Sequence, residues 1–188
     1  YDNTLGEANT LWYQALLALS RADLEKAITH GEHALGLART SGHPESIVQS
    51  LDVLASVKLS VGAWEEYEHL VTEVHAGYVT LKDRAMEADA LSMLANAHLH
   101  RGRLRLGISH ARNALAISQE IRNVWGQVNA LYDLTSGLLD SGAYTEALDS
   151  ALQAVASART LNTDSARANI LLLRALIQLG GVYRALQA

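Results

Sequence analysis

Eight histidines are the first residues in this chain that could do chemistry. Neutral imidazoles bind zinc and related ions, and two of them one helical turn apart can chelate from one face. His30 and His33 have that spacing; His98 and His100, two apart, would point to different sides of a helix. Neither pair has a third ligand or a carboxylate at a completing spacing, and there is no cysteine to supply a thiolate. No metal site is expected. Glu65, Glu66 and Glu68 in "WEEYEHL" would need a shielded cleft to work as acid and base, and neighbouring glutamates on a helix point different ways. Arg101, Arg103, Arg105 and Arg112 could touch phosphate, but the first two flank a turn in a chain of net charge −5. No GxSxG, Walker or HExxH motif occurs. The chain is therefore not expected to be an enzyme or to hold a cofactor.

The elements that carry these residues follow from composition. Of 188 residues, 49% are hydrophobic, one is proline and none is phenylalanine. Alanine and leucine dominate, both strong helix formers, and no alternating β-branched run marks a strand. The acidic balance argues against direct nucleic-acid contact, which needs a basic surface. There is no secretory signal and no apolar run long enough to span a bilayer. Zero cysteine suits the cytoplasm, which is the expected location. A start at Tyr1 and an end inside the helical pattern "GGVYRALQA" suggest a piece of a longer protein.

Sliding the sequence against itself gives a register of 40, with turn positions at Ala22, Gly62, Gly102 and Gly142. A fifth turn is expected at Gly180, two residues early. Eleven residues before the first four turns stand Leu11, Leu51, Leu91 and Leu131, and three before them Leu19, Leu59, Leu99 and Leu139. Seven before come Ala15, Ala55, Ala95 and Thr135; twelve after come Ala34, Val74, Ala114 and Ala154. Each unit reads as helix, tight turn, helix. First helices are predicted at 5–20, 44–61, 84–101, 124–141 and 164–179. Second helices are predicted at 23–40, 63–81, 103–121 and 143–160, with a fifth starting near Gly181. The repeats then run 3–42, 43–82, 83–122, 123–162 and 163–188, one repeat domain of four and a half copies.

Local signals support several ends. Thr4 and Glu7 have capping-box spacing, Pro44 suits a first turn, and Asp83 and Asp164 are candidate N-caps. Gly42, Asn123 and Asn162 stand where a helix could end in a left-handed residue. In "SGAYTEALDSALQAVASA", Ala147, Ala151, Ala154 and Ala158 form one stripe of a helix. Two-helix hairpins cannot bury both faces alone and must stack. An alanine stripe marks where another helix presses in.

The "LSMLANAHLHRG" segment at 91–102, the turn "SGAYTEAL" and the later alanines of "ALQAVASA" resemble the tetratricopeptide repeat (TPR) family across nearly the whole chain. The period is 40 where that family usually has 34, which is similar to the repeat sensor region of MalT-like bacterial transcription activators and to animal scaffold proteins of 40-residue repeats. Tyr67 departs from the pattern, standing where Ala27, Gly107 and Ala147 stand in the other units. The resemblance implies an all-α, right-handed superhelical solenoid of stacked antiparallel helix pairs, with first helices lining a concave groove. Its inward positions would be Asn9, Trp12 and Tyr13; Gln49, Asp52 and Ser56; Asp89, Ser92, Asn96 and His100; Asn129, Tyr132, Asp133, Ser136 and Asp140; and Arg167 and Arg174. The family's clamp for chaperone tails needs lysine and arginine where this chain has Asp52, Asp89 and Ser92, so that ligand is not expected.

Asparagines and hydroxyls can bond a peptide backbone, and Trp12, Tyr13 and Tyr132 can anchor a side chain. The expected function is a protein-interaction module that holds a peptide or protein segment in this groove. The alternative is the ligand-sensing segment of a multidomain bacterial transcription activator, answering to a small-molecule effector or an inhibitory protein. A third reading is a homodimer through the apolar C-terminal segment "ANILLLRALIQLGGVYRAL".

Overall fold

The computed structural model describes residues 3–161 and 166–187. Within them lie nine helices and no strand: α1 Thr4–Ser20, α2 Leu24–Ser41, α3 Pro44–Ser60, α4 Trp64–Leu81, α5 Arg84–His100, α6 Leu104–Glu120, α7 Val124–Asp140, α8 Tyr144–Arg159 and α9 Ala166–Leu186. The first eight start and stop within a residue of the predicted ranges. The chain divides into two compact units, one ending at Asp83 with α1–α4 and one beginning at Arg84 with α5–α9.

Left-handed backbone punctuates the chain every 20 residues. Positive φ occurs at Ala22, Gly42, Gly62, Lys82, Gly102, Arg122 and Gly142, from 56° to 78°. Each of these residues closes a helix with the same two bonds. At Gly102 its N–H donates to the Leu99 carbonyl at 2.9 Å, and the Arg103 N–H donates to the His98 carbonyl at 2.9 Å. This is the Schellman arrangement, which satisfies carbonyls that the helix end would leave without donors. The 40-residue period is thus two 20-residue steps, each a helix of about 17 residues and a three-residue turn.

Four expectations about the ends are corrected. The N-cap of α1 is Asn3, with no side-chain cap, so Thr4 already lies inside the helix and makes no capping box with Glu7. Arg122, not Asn123, takes the left-handed position after α6. Asn123 instead caps α7, its side-chain oxygen accepting from the Gly126 N–H at 3.1 Å. Gly180 is not a turn: α9 runs unbroken to Leu186, because Val182, wholly buried with Leu134, Leu138, Ala147 and Ala151, holds the later turns of the helix against the core. The C-terminal half-repeat is therefore a single helix rather than a hairpin. Pro44 opens α3, and Asp83 directly precedes α5. Asn162 and Asp164 lie outside the described residues.

Within each unit, helices pack on their sequence neighbours, and first helices also pack on the next first helix: α1 on α3, α5 on α7, α7 on α9. The alanine stripe does what its spacing implies. Ala147, Ala151, Ala154 and Ala158 are buried, and Leu131, Leu134 and Leu138 of α7 fill the layer beside them. Each such leucine contributes roughly 1.5–3 kcal/mol on burial. No described helix is long and apolar enough to cross a membrane.

Candidate functional site

In the N-terminal unit the predicted groove residues lie on α1 and α3. Asn9 accepts a hydrogen bond from the Ser46 hydroxyl at 3.0 Å, tying α1 to α3. The rings of Trp12 and Tyr13 meet at 4.6 Å, and Tyr13 is 65% exposed. Gln49, Asp52 and Ser56 are half-buried along α3.

In the C-terminal unit three of the predicted residues, Tyr132, Ser136 and Arg174, come together. On α5, Ser92 and Asn96 are half-buried, while Asp89 and His100 are exposed. On α7, Asn129, Tyr132 and Ser136 are half-buried and Asp140 is exposed. The spacing of Tyr132 and Ser136, one helical turn, brings both beside α9. There the guanidinium of Arg174 lies 3.6 Å from the centre of the Tyr132 ring, a cation–π contact. One turn further along α9, Gln178 donates through Nε2 to the Tyr132 carbonyl at 2.7 Å and to the Ser136 hydroxyl at 3.0 Å. Arg167, at the start of α9, is exposed and away from this cluster of contacts.

Asp133 departs from the expected solvated groove. It is buried, hydrogen-bonded to Ser92, with Arg174 in its field. Burial pushes its carboxyl up to about 7, against the opposing pull of the Arg174 charge and the Ser92 bond. The physical reason for the departure is its column on the helix. Position 133 faces α5 of the preceding hairpin, where Ser92 meets it.

A pocket of about 440 Å³ opens between α7 and α9. Its polar floor is Tyr132, Ser136, Arg174 and Gln178; its apolar wall is Leu139, Ile170, Leu173 and Ile177. The sequence reading missed Gln178 and the apolar wall. The available signal was a glutamine one helical turn after Arg174, on the same side of a largely apolar helix. A wider depression of about 600 Å³ lies over the α5–α6 turn, lined by Gly102 to Leu106 and Ser109, all from one turn and the helix that follows it.

The other candidate clusters take structural places. His98, buried on α5, stacks on His110 of α6 with ring centroids 5.1 Å apart and planes 13° from parallel. Among the described residues no group of three or more His, Asp and Glu side chains is gathered to hold a metal. Arg112 pairs with Glu146 at 2.9 Å, joining α6 to α8. Glu65 and Glu66 are exposed.

No protein-family model and no curated protein matches the sequence. Solved structures do. A protein of nearly identical TPR-like repeats from Podosopora anserina is 18% identical with a TM-score of 0.78, covering 98% of this chain and 88% of that one. A Rap protein complexed with Competence and Sporulation Factor is 16% identical with a TM-score of 0.80, covering 100% of this chain and 54% of that one. A STAND signal-transduction ATPase with a tetratricopeptide repeat sensor, from Pyrococcus horikoshii, is 14% identical with a TM-score of 0.85, covering 97% of this chain and 28% of that one. At these identities the likeness is one of fold, and the fold is TPR-like.

Proposed function

We propose that this TPR-like chain is a protein-interaction module and that the face formed by α5, α7 and α9 holds a peptide or protein segment. The observation that carries the reading is the pocket beside Tyr132. An aromatic ring, a guanidinium, a hydroxyl and an amide converge there, next to four aliphatic side chains. That combination suits an extended segment: polar groups take its backbone, and the aliphatic wall takes one side chain. The Rap protein solved with Competence and Sporulation Factor supports the reading by analogy of fold.

The test is a random peptide library selected on the immobilised chain, followed by titration of a selected peptide against variants. Tyr132→Ala and Asn96→Ala should each weaken binding by about tenfold, the usual scale for an anchor residue. Circular dichroism should stay unchanged. Unaltered affinity in both variants removes the groove.

A second reading has one observation of its own. The TPR-sensor ATPase gives a TM-score of 0.85, and this chain spans 28% of its length. On that reading the chain is the sensor segment of a multidomain regulator of the bacterial transcription-activator type. The full-length gene decides: a nucleotide-binding domain upstream and a DNA-binding helix-turn-helix downstream favour the sensor, and an isolated repeat array favours the interaction module.

A further inference from the structure

Helix α9 has one face in the core and an apolar stripe on the opposite face. Ala168, Leu171, Ala175 and Val182 are buried. Ile170, Leu173 and Ile177, at i, i+3 and i+7, are 64%, 58% and 63% exposed. Burying one such stripe is the ordinary reason for a second helix to dock.

Charge narrows what that helix can be. The whole chain has 20 acidic and 15 basic residues, yet α9 has no acidic residue and three arginines: Arg167, Arg174 and Arg184. All three are exposed. Arg167 and Arg174, seven apart, run along one edge of the stripe, and Arg184 stands at its C-terminal end. A second copy docking through the same face would set arginine against arginine, which charge repulsion disfavours.

Gly180 and Gly181 supply an independent sign. Glycine weakens a helix interior relative to alanine, so an adjacent pair needs a reason. Neither has positive φ, and a Cβ at either would meet nothing within 4 Å. The fold itself does not require them. They leave a notch at the end of the stripe where a foreign backbone can come close.

We infer that the outer face of α9 docks an amphipathic helix of another protein, one with leucine-type side chains along its contact stripe and glutamate or aspartate beside them, crossing α9 at Gly180–Gly181. The stripe shares Ile170, Leu173 and Ile177 with the pocket beside Tyr132, so a helix docked on it and a peptide held in the groove would exclude one another.

The test uses the full chain and two synthetic helical peptides of about 20 residues, a length at which helices hold together. Both carry leucine at heptad core positions; one is flanked by glutamate, the other by lysine. Fluorescence anisotropy should show the glutamate peptide binding at least about tenfold more tightly, with affinity falling as salt rises. Leu173→Glu with Ile177→Glu, both on the exposed face, should abolish binding without changing the circular dichroism spectrum. Gly180→Ala with Gly181→Ala should raise the melting temperature while weakening binding, a pairing of effects that mere helix stabilisation does not produce.

Equal affinity for both peptides, or binding that survives the double glutamate change, overturns the proposal. So does light scattering that shows a dimer dissociated by Leu173→Glu, because the occupant would then be a second copy. Asn96→Ala separates the two readings: it lies on α5 and should leave the α9 peptide untouched. A loss there would place the helical peptide across α5 and sink the α9 docking instead.

Discussion

Helices α4 and α8 hold the same place in their hairpins, one in each unit, and fill it with side chains of opposite size. The face that α8 buries is Ala147, Ala151, Ala154 and Ala158; the same columns of α4 are Tyr67, Val71, Val74 and Tyr78. Both helices are the same length to within two residues, Trp64–Leu81 and Tyr144–Arg159, and both follow a left-handed glycine. The partner helices both bury leucine in two shared columns, Leu51 and Leu54 in α3 and Leu131 and Leu134 in α7, and differ at the third, where α3 has Lys58 and α7 has Leu138. Beside Leu131, Leu134 and Leu138 of α7 the facing helix must be slender. In the other unit, α4 brings the bulk itself and admits α3 through Gly77, where any Cβ would collide with Val48. The repeat thus fixes where the backbone turns but not the size of the side chains that fill each layer.

The largest way to break this comparison is Tyr67→Ala. The side chain is 1% exposed, and its ring meets that of Trp64 at 6.1 Å, edge to face. Writing the small residue of the other repeats into this one should not restore their packing. It should leave a cavity and cost about 3–5 kcal/mol, read as a lower denaturation midpoint at unchanged slope. A cost below about 1 kcal/mol would mean that α4 closes up on its own.

A second contrast lies in the column that faces the preceding hairpin. Val53 fills it in α3 and Asp133 in α7, 2% and 7% exposed. The buried carboxyl binds its proton more tightly folded than unfolded, since burial raises it to about 7 from an unfolded value near 3.8. The folded state therefore holds more protons between those values, and stability falls as pH rises through that window, reaching its low plateau above pH 7. Asp133→Asn keeps the shape and removes the charge. It should raise stability at pH 8 by on the order of 2–4 kcal/mol and much less at pH 4, flattening the curve between. Urea midpoints at both pH values check this; a variant that parallels the parent chain would place the pH dependence elsewhere.

Ala154→Leu breaks the comparison from the other side by giving α8 the bulk that α4 tolerates. Ala154 is 1% exposed and packed among Leu131, Val155 and Ala175. Overpacking should cost about 1–3 kcal/mol, and pairing it with Leu131→Ala should recover part of that loss. Thermal melts of the single and double variants measure the recovery; simple additivity would deny that the layer shares its volume.

The same contrast explains what was legible in the sequence. Turn spacing was readable because glycine at 62, 102 and 142 reports a left-handed backbone directly, and the leucine columns keep step with it. Lys82 and Arg122 take that conformation without any compositional sign, so the turns between hairpins could be placed only by the gap between helices. Gly180 misled for the converse reason. A glycine marks a turn only if the chain needs one there, and Val182, two residues on, is needed in the core. Tyr132, Ser136 and Arg174 could be picked out as inward-facing, but their convergence could not, because it depends on how α9 seats on α7. Asp133 was misplaced because a carboxylate at a buried column looks, in sequence, like one at a solvated column.

The smallest effect is at the turns themselves, where the comparison is between residues that suit a conformation and residues that endure it. Gly42 and Arg122 both end a second helix at nearly equal φ, 66° and 56°, with the same pair of closing bonds. For an L residue the left-handed region costs about 1–2 kcal/mol, because Cβ crowds the following carbonyl. Arg122→Gly relieves that strain, but glycine also loosens the unfolded chain, which takes back about 0.4–1 kcal/mol. The net should be a gain of roughly 0.5–1 kcal/mol, visible as a rise in melting temperature of a few degrees. Gly42→Ala should lose a similar amount. If Arg122→Gly destabilises instead, the arginine side chain contributes more to α6 and α7 than its exposed position implies, and the turns between hairpins are not held by the backbone alone.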